Sequence, residues 1–397
     1  MELNRPRITF ASFTALGLNG LVFSFMGVSL PSLQMSLEIN IQQAGTLVAS
    51  LQSGFTICTL FGGILSDHCY RERIIMAGCF ILSGSSLLLC IVPSFMLSII
   101  AVCFLGSGIG FILSGTNTLL VNMYPFRKGT ILNIHHVFFG IGAIVGPLLM
   151  GFLITRGNHW RAGYIGAAAV SLVLCLVFAC SKKKMTVSSS TPRWNGRIFA
   201  LLGDRLFLVI LMAGFLTMGS QVVIMLFGAV FLIHAKQCSL AAAGAALSMF
   251  SISMVIGRIA CSRLALTIKH TSIVLTLLWL QVLILLLMWQ GSGWFALVIL
   301  SLSGFTFSGT YPTLLALTSI LFPEYEGTSL GLLSTTGGLG TVVLCWLTGY
   351  LAGLTDISTG FIVTLTACSF ALIVFQRNYN SISKRELCLK SQHMKGQ

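Results

Sequence analysis

The chain has 397 residues, of which 56% are hydrophobic and only 8% charged, with a formal net charge of +14. A water-soluble domain carries roughly 25% charged residues, so composition excludes a soluble enzyme or nucleic-acid-binding domain. The excess of positive charge therefore has to be explained by where it is placed.

Twelve apolar stretches can be cut, at 8–33, 44–66, 74–93, 95–122, 131–155, 162–180, 205–233, 241–262, 271–290, 293–321, 328–353 and 357–376. Each is near the ~20 residues that a helix needs to cross ~30 Å of hydrocarbon. Transmembrane strands would instead alternate polar and apolar residues over ~10-residue segments. An all-α membrane protein of twelve transmembrane helices is expected. Glycine, with 41 residues, lies inside these spans as well as between them, which in lipid favours close helix approach. Arg5 and Arg7 precede an apolar run too long for a cleavable signal peptide, so that run is read as the first span.

If both termini lie inside, only Arg156, Arg161 and Lys236 of the 23 Lys and Arg residues fall outside. This positive-inside asymmetry predicts a multi-pass protein of the cytoplasmic (inner) membrane with both termini cytoplasmic. It also accounts for the basic balance without nucleic acid as a partner; the expected partners are the bilayer and a small solute, with the chain a monomer.

In the first span Asn19 stands among apolar residues, and Gln52 does so in the second. An intramembrane amide is costly unless it meets a partner helix or a wet cavity, and Asn19 fits either. The second span runs into Gly63-Ile-Leu-Ser-Asp67-His-Cys-Tyr-Arg71-Glu-Arg73, an acid at a helix end beside cations. Such a group can clasp a neighbouring helix in one conformation and release it in another. The fourth span is polar at its centre, with Ser114 and Asn117 three apart and so on one face.

The fifth span opens the most informative stretch of the chain. Tyr124 to Gly151 aligns without a gap on Phe322 to Gly349, 198 residues later, with nine of 28 positions identical, among them Gly129/Gly327, Gly140/Gly338, Gly142/Gly340 and Gly151/Gly349. An offset of half the chain predicts two related six-helix halves, with a site between them near the bilayer midplane. The expected organisation is a first bundle over 1–180, a basic Ser/Thr-rich linker over 181–204, a second bundle over 205–376 and a polar tail over 377–397. In the fifth span Asn133, His136 and Gly140 share one helix face, while His135 points about 100° away. Two adjacent His diverge on a helix and no third ligand is near, so neither a metal nor any other cofactor is expected.

The second half repeats the plan with less polarity: Gln221 in the seventh span, Trp279 and Gln281 in the ninth, and Ser308-Gly309-Thr310-Tyr311-Pro312 in the tenth. Ser-Gly-Thr at 308–310 echoes Ser-Gly-Thr at 114–116. Pro312 would leave a carbonyl without its helical partner, as helices that line cavities allow. The twelve cysteines are scattered without metal-ligand spacing and read as small buried hydrophobes.

None of the nine acidic residues falls in mid-membrane, which removes the usual buried carboxylate of a proton relay and the paired acids of hydrolytic catalysis. No phosphate-cradling GxxxxGK[ST] occurs, nor HExxH, nor GxSxG, so no enzyme is expected. What remains is a neutral set of amides, hydroxyls and an imidazole, suited to a polyhydroxylated solute.

The 63–73 loop resembles the signature between helices 2 and 3 of the major facilitator superfamily, with Gly63, Leu65, Asp67 and Arg71 in place and His68, Tyr70 and Glu72 departing from it. Asn117, together with Leu132-Asn133-x-x-His136-x-Phe138-Phe139-Gly140-x-Gly142-Ala143-x-x-Gly146-Pro147, resembles the fucose–galactose–glucose permease branch, as do Tyr311-Pro312-Thr313 and Gly337-Gly338-x-Gly340. The resemblance implies alternating access, a solute-facing role for His136 and a place in the binding half for Asn117; from the neutral polar set, Asn133 would join them in the first half and Gln221 and Tyr311 would bind in the second. Asn19 and Gln52 would lie at the edge, and Gly63, Asp67 and Arg71 would gate. The acids that proton-coupled members carry correspond here to Gly27 and Leu113, so the resemblance extends to a facilitator or weakly coupled symporter. Gly142-x-x-x-Gly146-Pro147 also resembles a helix of drug–proton antiporters, the alternative reading. A third is a non-transporting sensor on a carrier frame.

Overall fold

A computed structural model describes residues 5–92, 94–124, 128–157, 159–180, 201–323 and 326–395. Most of the expected linker, 181–200, lies outside these residues. Helices α1 to α6 are Arg5–Leu37, Ile41–His68, Arg71–Ile91, Phe95–Met123, Lys128–Thr155 and Trp160–Ala179. The second series runs α7 Arg205–Val230, continued by a π turn Phe231–Ala235, then α8 Leu240–Leu264 and α9 His270–Gln290. Next, α10 is Gly293–Ser308 and Thr310–Leu321 interrupted at Gly309, followed by α11 Glu326–Leu354 and α12 Ile357–Lys395. Among the described residues twelve helices are long and apolar enough to cross a membrane, as their hydropathy led us to expect.

The chain divides into two compact units, 1–191 with 239–248, and 192–238 with 249–397. In the first, α2 packs on α4, α1 on α5, and α3 on α4 and α6; in the second, α7 packs on α11 and α12, and α9 on α10 and α12.

Small residues hold these pairs, and they do so twice over. A Cβ added to Gly142 of α5 would collide with the backbone carbonyl of Gly17 in α1. A Cβ added to Gly340 of α11 would collide with the carbonyl of Phe215 in α7. Both members of this contact are displaced by the 198 residues of the sequence repeat. Gly106 against Leu51 and Gly304 against Phe250 make the same backbone-to-backbone approach between α4 and α2 and between α10 and α8. In lipid, where burial supplies no drive between helices, such approach is what dispersion and weak polar contacts require.

Helix starts follow local chemistry. Asn40 caps α2 in a reciprocal box with Gln43, the two bonds measuring 2.8 and 3.0 Å. Asp204 caps α7 by accepting from the amides of Leu206 and Phe207 at 2.8 and 3.2 Å. Burial alone would lift the Asp204 carboxyl, but the Arg385 guanidinium and these two amides outweigh it and hold the group below its ordinary value. The stability this cap adds is therefore fully present above about pH 4 and is lost as pH falls through the depressed value.

The structure adds two particulars. The polar residues after 376 do not leave the fold, because α12 continues without a break to Lys395. The interruption of α10 falls at Gly309, three residues before Pro312. Pro312 has no N–H to offer the Ser308 carbonyl, so helical bonding is already lost where the two segments meet.

Candidate functional site

In the first unit two interior side chains, Asn19 and His135, make bonds between helices. Asn19 is fully buried, and its Nδ2 donates to the Ile109 carbonyl of α4 at 3.0 Å. Of the two roles open to it, this contact is the helix-to-helix one. Gln52 on α2 is also buried, 1% exposed, and its Nε2 meets no protein acceptor. A buried amide donor of that kind is costly unless something polar comes to it.

The paired histidines divide their work. His135 is 0% exposed; its Nε2 lies 3.1 Å from the Ser12 carbonyl of α1 and its Nδ1 3.0 Å from the side-chain amide of Asn117 on α4. A neutral imidazole that donates from Nε2 must accept at Nδ1, which sets the Asn117 amide with its NH₂ toward the ring. One side chain of α5 thus ties α1 and α4 together. Phe13 lies against the same ring, centroids 5.9 Å apart. His136 points elsewhere: it is exposed on the first unit, edge-on to His135 with centroids 5.8 Å apart. Asn117, half-buried, is brought to His135 rather than to His136. The side chains of Asn133 and Asp67 lie outside the described residues.

Near the α2–α3 turn, a Cβ added to Gly63 would find open space, with nothing within 4 Å, whereas one added to Gly62 would strike the Ser114 hydroxyl. The close-packed glycine of this turn is Gly62. Arg71 and Glu72 open α3 with 4% and 7% exposure.

In the second unit Gln221 of α7 is 9% exposed, and its Nε2 approaches the Met254 sulfur of α8 at 3.9 Å. Tyr311 lies beside the break of α10, half-buried, with its ring against Gly337 of α11 and its hydroxyl hydrogen-bonded to Ser334. Sequence reasoning noted Gln281 without giving it a role. It is fully buried on α9, and its Nε2 donates to the Thr306 carbonyl at 3.1 Å and to the Thr310 hydroxyl at 2.7 Å. It therefore spans the interruption of α10 and supplies a donor to each side. A lone amide in an otherwise apolar helix was the signal for it. Among the described residues no group of His, Cys, Asp and Glu is arranged to hold a metal ion.

The family follows from a match over most of the chain. Residues 12–343 match the model of the Major Facilitator Superfamily. The chain belongs to that superfamily. Among curated relatives, this superfamily member is 24% identical over 140 residues to the sodium-dependent glucose transporter 1A of Mus musculus, covering 35% of this chain and 32% of the relative. It is 26% identical over 222 residues to the cis,cis-muconate transport protein of Acinetobacter baylyi, covering 52% and 54%. The chain thus matches about a third and about half of the length of these relatives.

The superfamily fold is shared with the solved nucleoside transporter NupG, at TM-score 0.77 and 15% identity, covering 97% of this chain and 100% of that one. It is shared also with FucP in its outward conformation, at TM-score 0.62 and 16% identity, covering 94% and 98%. The protein is a multi-pass membrane protein of this superfamily.

Proposed function

We propose that this protein moves a small neutral solute, a sugar or related polyhydroxylated compound, across the cytoplasmic membrane by alternating access, as a facilitator or weakly coupled symporter. One observation carries the reading: every polar side chain set into the middle of the spans at the sites above is an amide, a hydroxyl or an imidazole, and no Asp or Glu is among them. Donors and acceptors without net charge suit hydroxyl-rich ligands. The glucose and nucleoside transport named for two of the similar proteins is consistent with it.

His136, Asn133 and Asn117 would serve in the first half, Gln221 and Tyr311 in the second, with Asn19 and Gln52 at the margin. Gly63, Asp67 and Arg71 would gate the side that the charge asymmetry assigns to the cytoplasm, where both termini would also lie. If transport is coupled to protons, the imidazole of His136 would be the group that carries the proton. The Gly142 to Pro147 run favours a second reading, export of amphipathic compounds.

A thermal-shift screen of the purified protein against sugars, nucleosides and cationic dyes, followed by liposome uptake of the ligand found, separates the two. Stabilisation by a sugar or nucleoside, with at least tenfold loss of uptake in folded His136→Ala protein, is the expected result. Stabilisation by dyes alone would transfer the case to the exporter. Unchanged uptake in His136→Ala would remove that residue from the site.

A further inference from the structure

α9 begins at His270, and its N-cap residue Lys269 places no side chain on the first amides. Four orphan N–H groups at a helix start need acceptors, and a negative charge is favoured there. The acceptor comes from 116 residues away. Glu386, on the part of α12 that composition marks as a tail, is 0% exposed. Its Oε1 accepts from the His270 amide at 3.0 Å and lies 3.2 Å from His270 Nδ1. Its Oε2 accepts from the Thr271 amide at 3.1 Å and from the Thr271 hydroxyl at 2.6 Å.

The residues around it repeat the connection. Lys269 Nζ donates to the Ser383 hydroxyl at 3.2 Å, and the hydroxyls of Ser272 and Tyr379 pair at 2.9 Å. Arg385 reaches the other way, donating to Asp204, the cap of α7, at 2.6 Å. Its guanidinium also lies over the Phe322 ring at the end of α10, 4.6 Å from the centroid. Ile382, fully buried, sits in the same apolar core as Phe207 and Phe322. On this segment the exposed residues, Arg377, Asn380, Ser381, Lys384, Leu387 and Cys388, form the opposite face.

We infer that residues 377–389 are a strap built into the second unit, in which Glu386 is the long-range cap of α9 and Arg385 is the tie to α7 and α10. The strap adds ties at the ends of three helices that already pack together in the second unit, to α9 through Glu386 and to α7 and α10 through Arg385. By this account α7, α9, α10 and α12 move as one body at that end, and the point where the linker reaches α7, at Asp204, is fixed to α12. Motion of this end during transport would then fall to α8 and α11. The inference does not depend on which solute is carried.

Hydrogen–deuterium exchange on the purified full chain tests it. In the native protein, amides of 379–389 and of 270–273 are expected to exchange slowly. Glu386→Ala should raise exchange in both segments at least tenfold while α1 to α6 stay unchanged, and Ser381→Ala on the exposed face should change neither. If Glu386→Ala is not recovered folded, Glu386→Gln carries the test. It keeps the shape but only one accepting oxygen, so a smaller rise at 270–273 is expected. Exchange of 379–389 within seconds in the native protein would overturn the strap. So would exchange at 270–273 that neither Glu386 variant alters.

Discussion

Gly142→Ala is expected to destabilise the protein severely, by roughly 3 kcal/mol or more, the upper range for overpacking a tight contact. The added methyl meets the Gly17 carbonyl, a backbone atom that cannot rotate away, so α1 and α5 must move apart along their shared length. Separation forfeits the dispersion contacts that hold helices together in lipid. Gly340→Ala should do the same between α7 and α11 through the Phe215 carbonyl. Gly151→Ala is the control. It too belongs to the repeated set, yet nothing lies within 4 Å of its would-be methyl. There the better helix propensity of alanine should leave stability unchanged or raise it by up to ~1 kcal/mol. Melting temperatures of the three purified variants check this, and equal tolerance at Gly142 and Gly151 would contradict it.

The second large effect separates neighbouring side chains. His135→Ala removes a fully buried ring that joins Ser12 of α1 to Asn117 of α4, leaving both a cavity and an amide without its partner. A cost of about 3 kcal/mol is expected from those two losses together. His136→Ala leaves both of those bonds in place and should lower the melting temperature less than His135→Ala does. The pair is therefore expected to divide: His135 carries the larger share of stability and His136 carries transport. A His135→Ala protein as stable as the native one would show that the α1–α4–α5 connection lies elsewhere.

Much of this architecture was legible in the residues because a membrane makes the signal simple. Each span must be apolar for its whole length, and the repeat at 198 residues points straight to the paired contacts of Gly142 and Gly340. The same simplicity hides orientation. A helix in water shows its buried face as an apolar stripe, but α5 is apolar on the sides that meet lipid and protein alike. Spacing showed that His135 and His136 diverge, without showing which of them turns to α1. The bonds to Ser12 and Asn117 decide that. Glu386 was hidden for another reason. In a polar, basic segment its carboxylate looks like a solvated charge, and its partners at His270 and Thr271 are far away in the chain. Gln281 was visible as a lone amide, but its task depends on where α10 breaks.

The cysteines carry a consequence of a different kind. Among the twelve, Cys69, Cys180 and Cys388 are exposed, and they stand at the end of α2, just after α6 and on the extension of α12. In the proposed orientation all three would be cytoplasmic, so the natural protein would already carry its own reporters of sidedness. A membrane-impermeant maleimide should leave them unlabelled in sealed right-side-out vesicles and modify them once the bilayer is opened, with no engineered residue. Labelling of Cys69 or Cys180 from outside would invert the orientation.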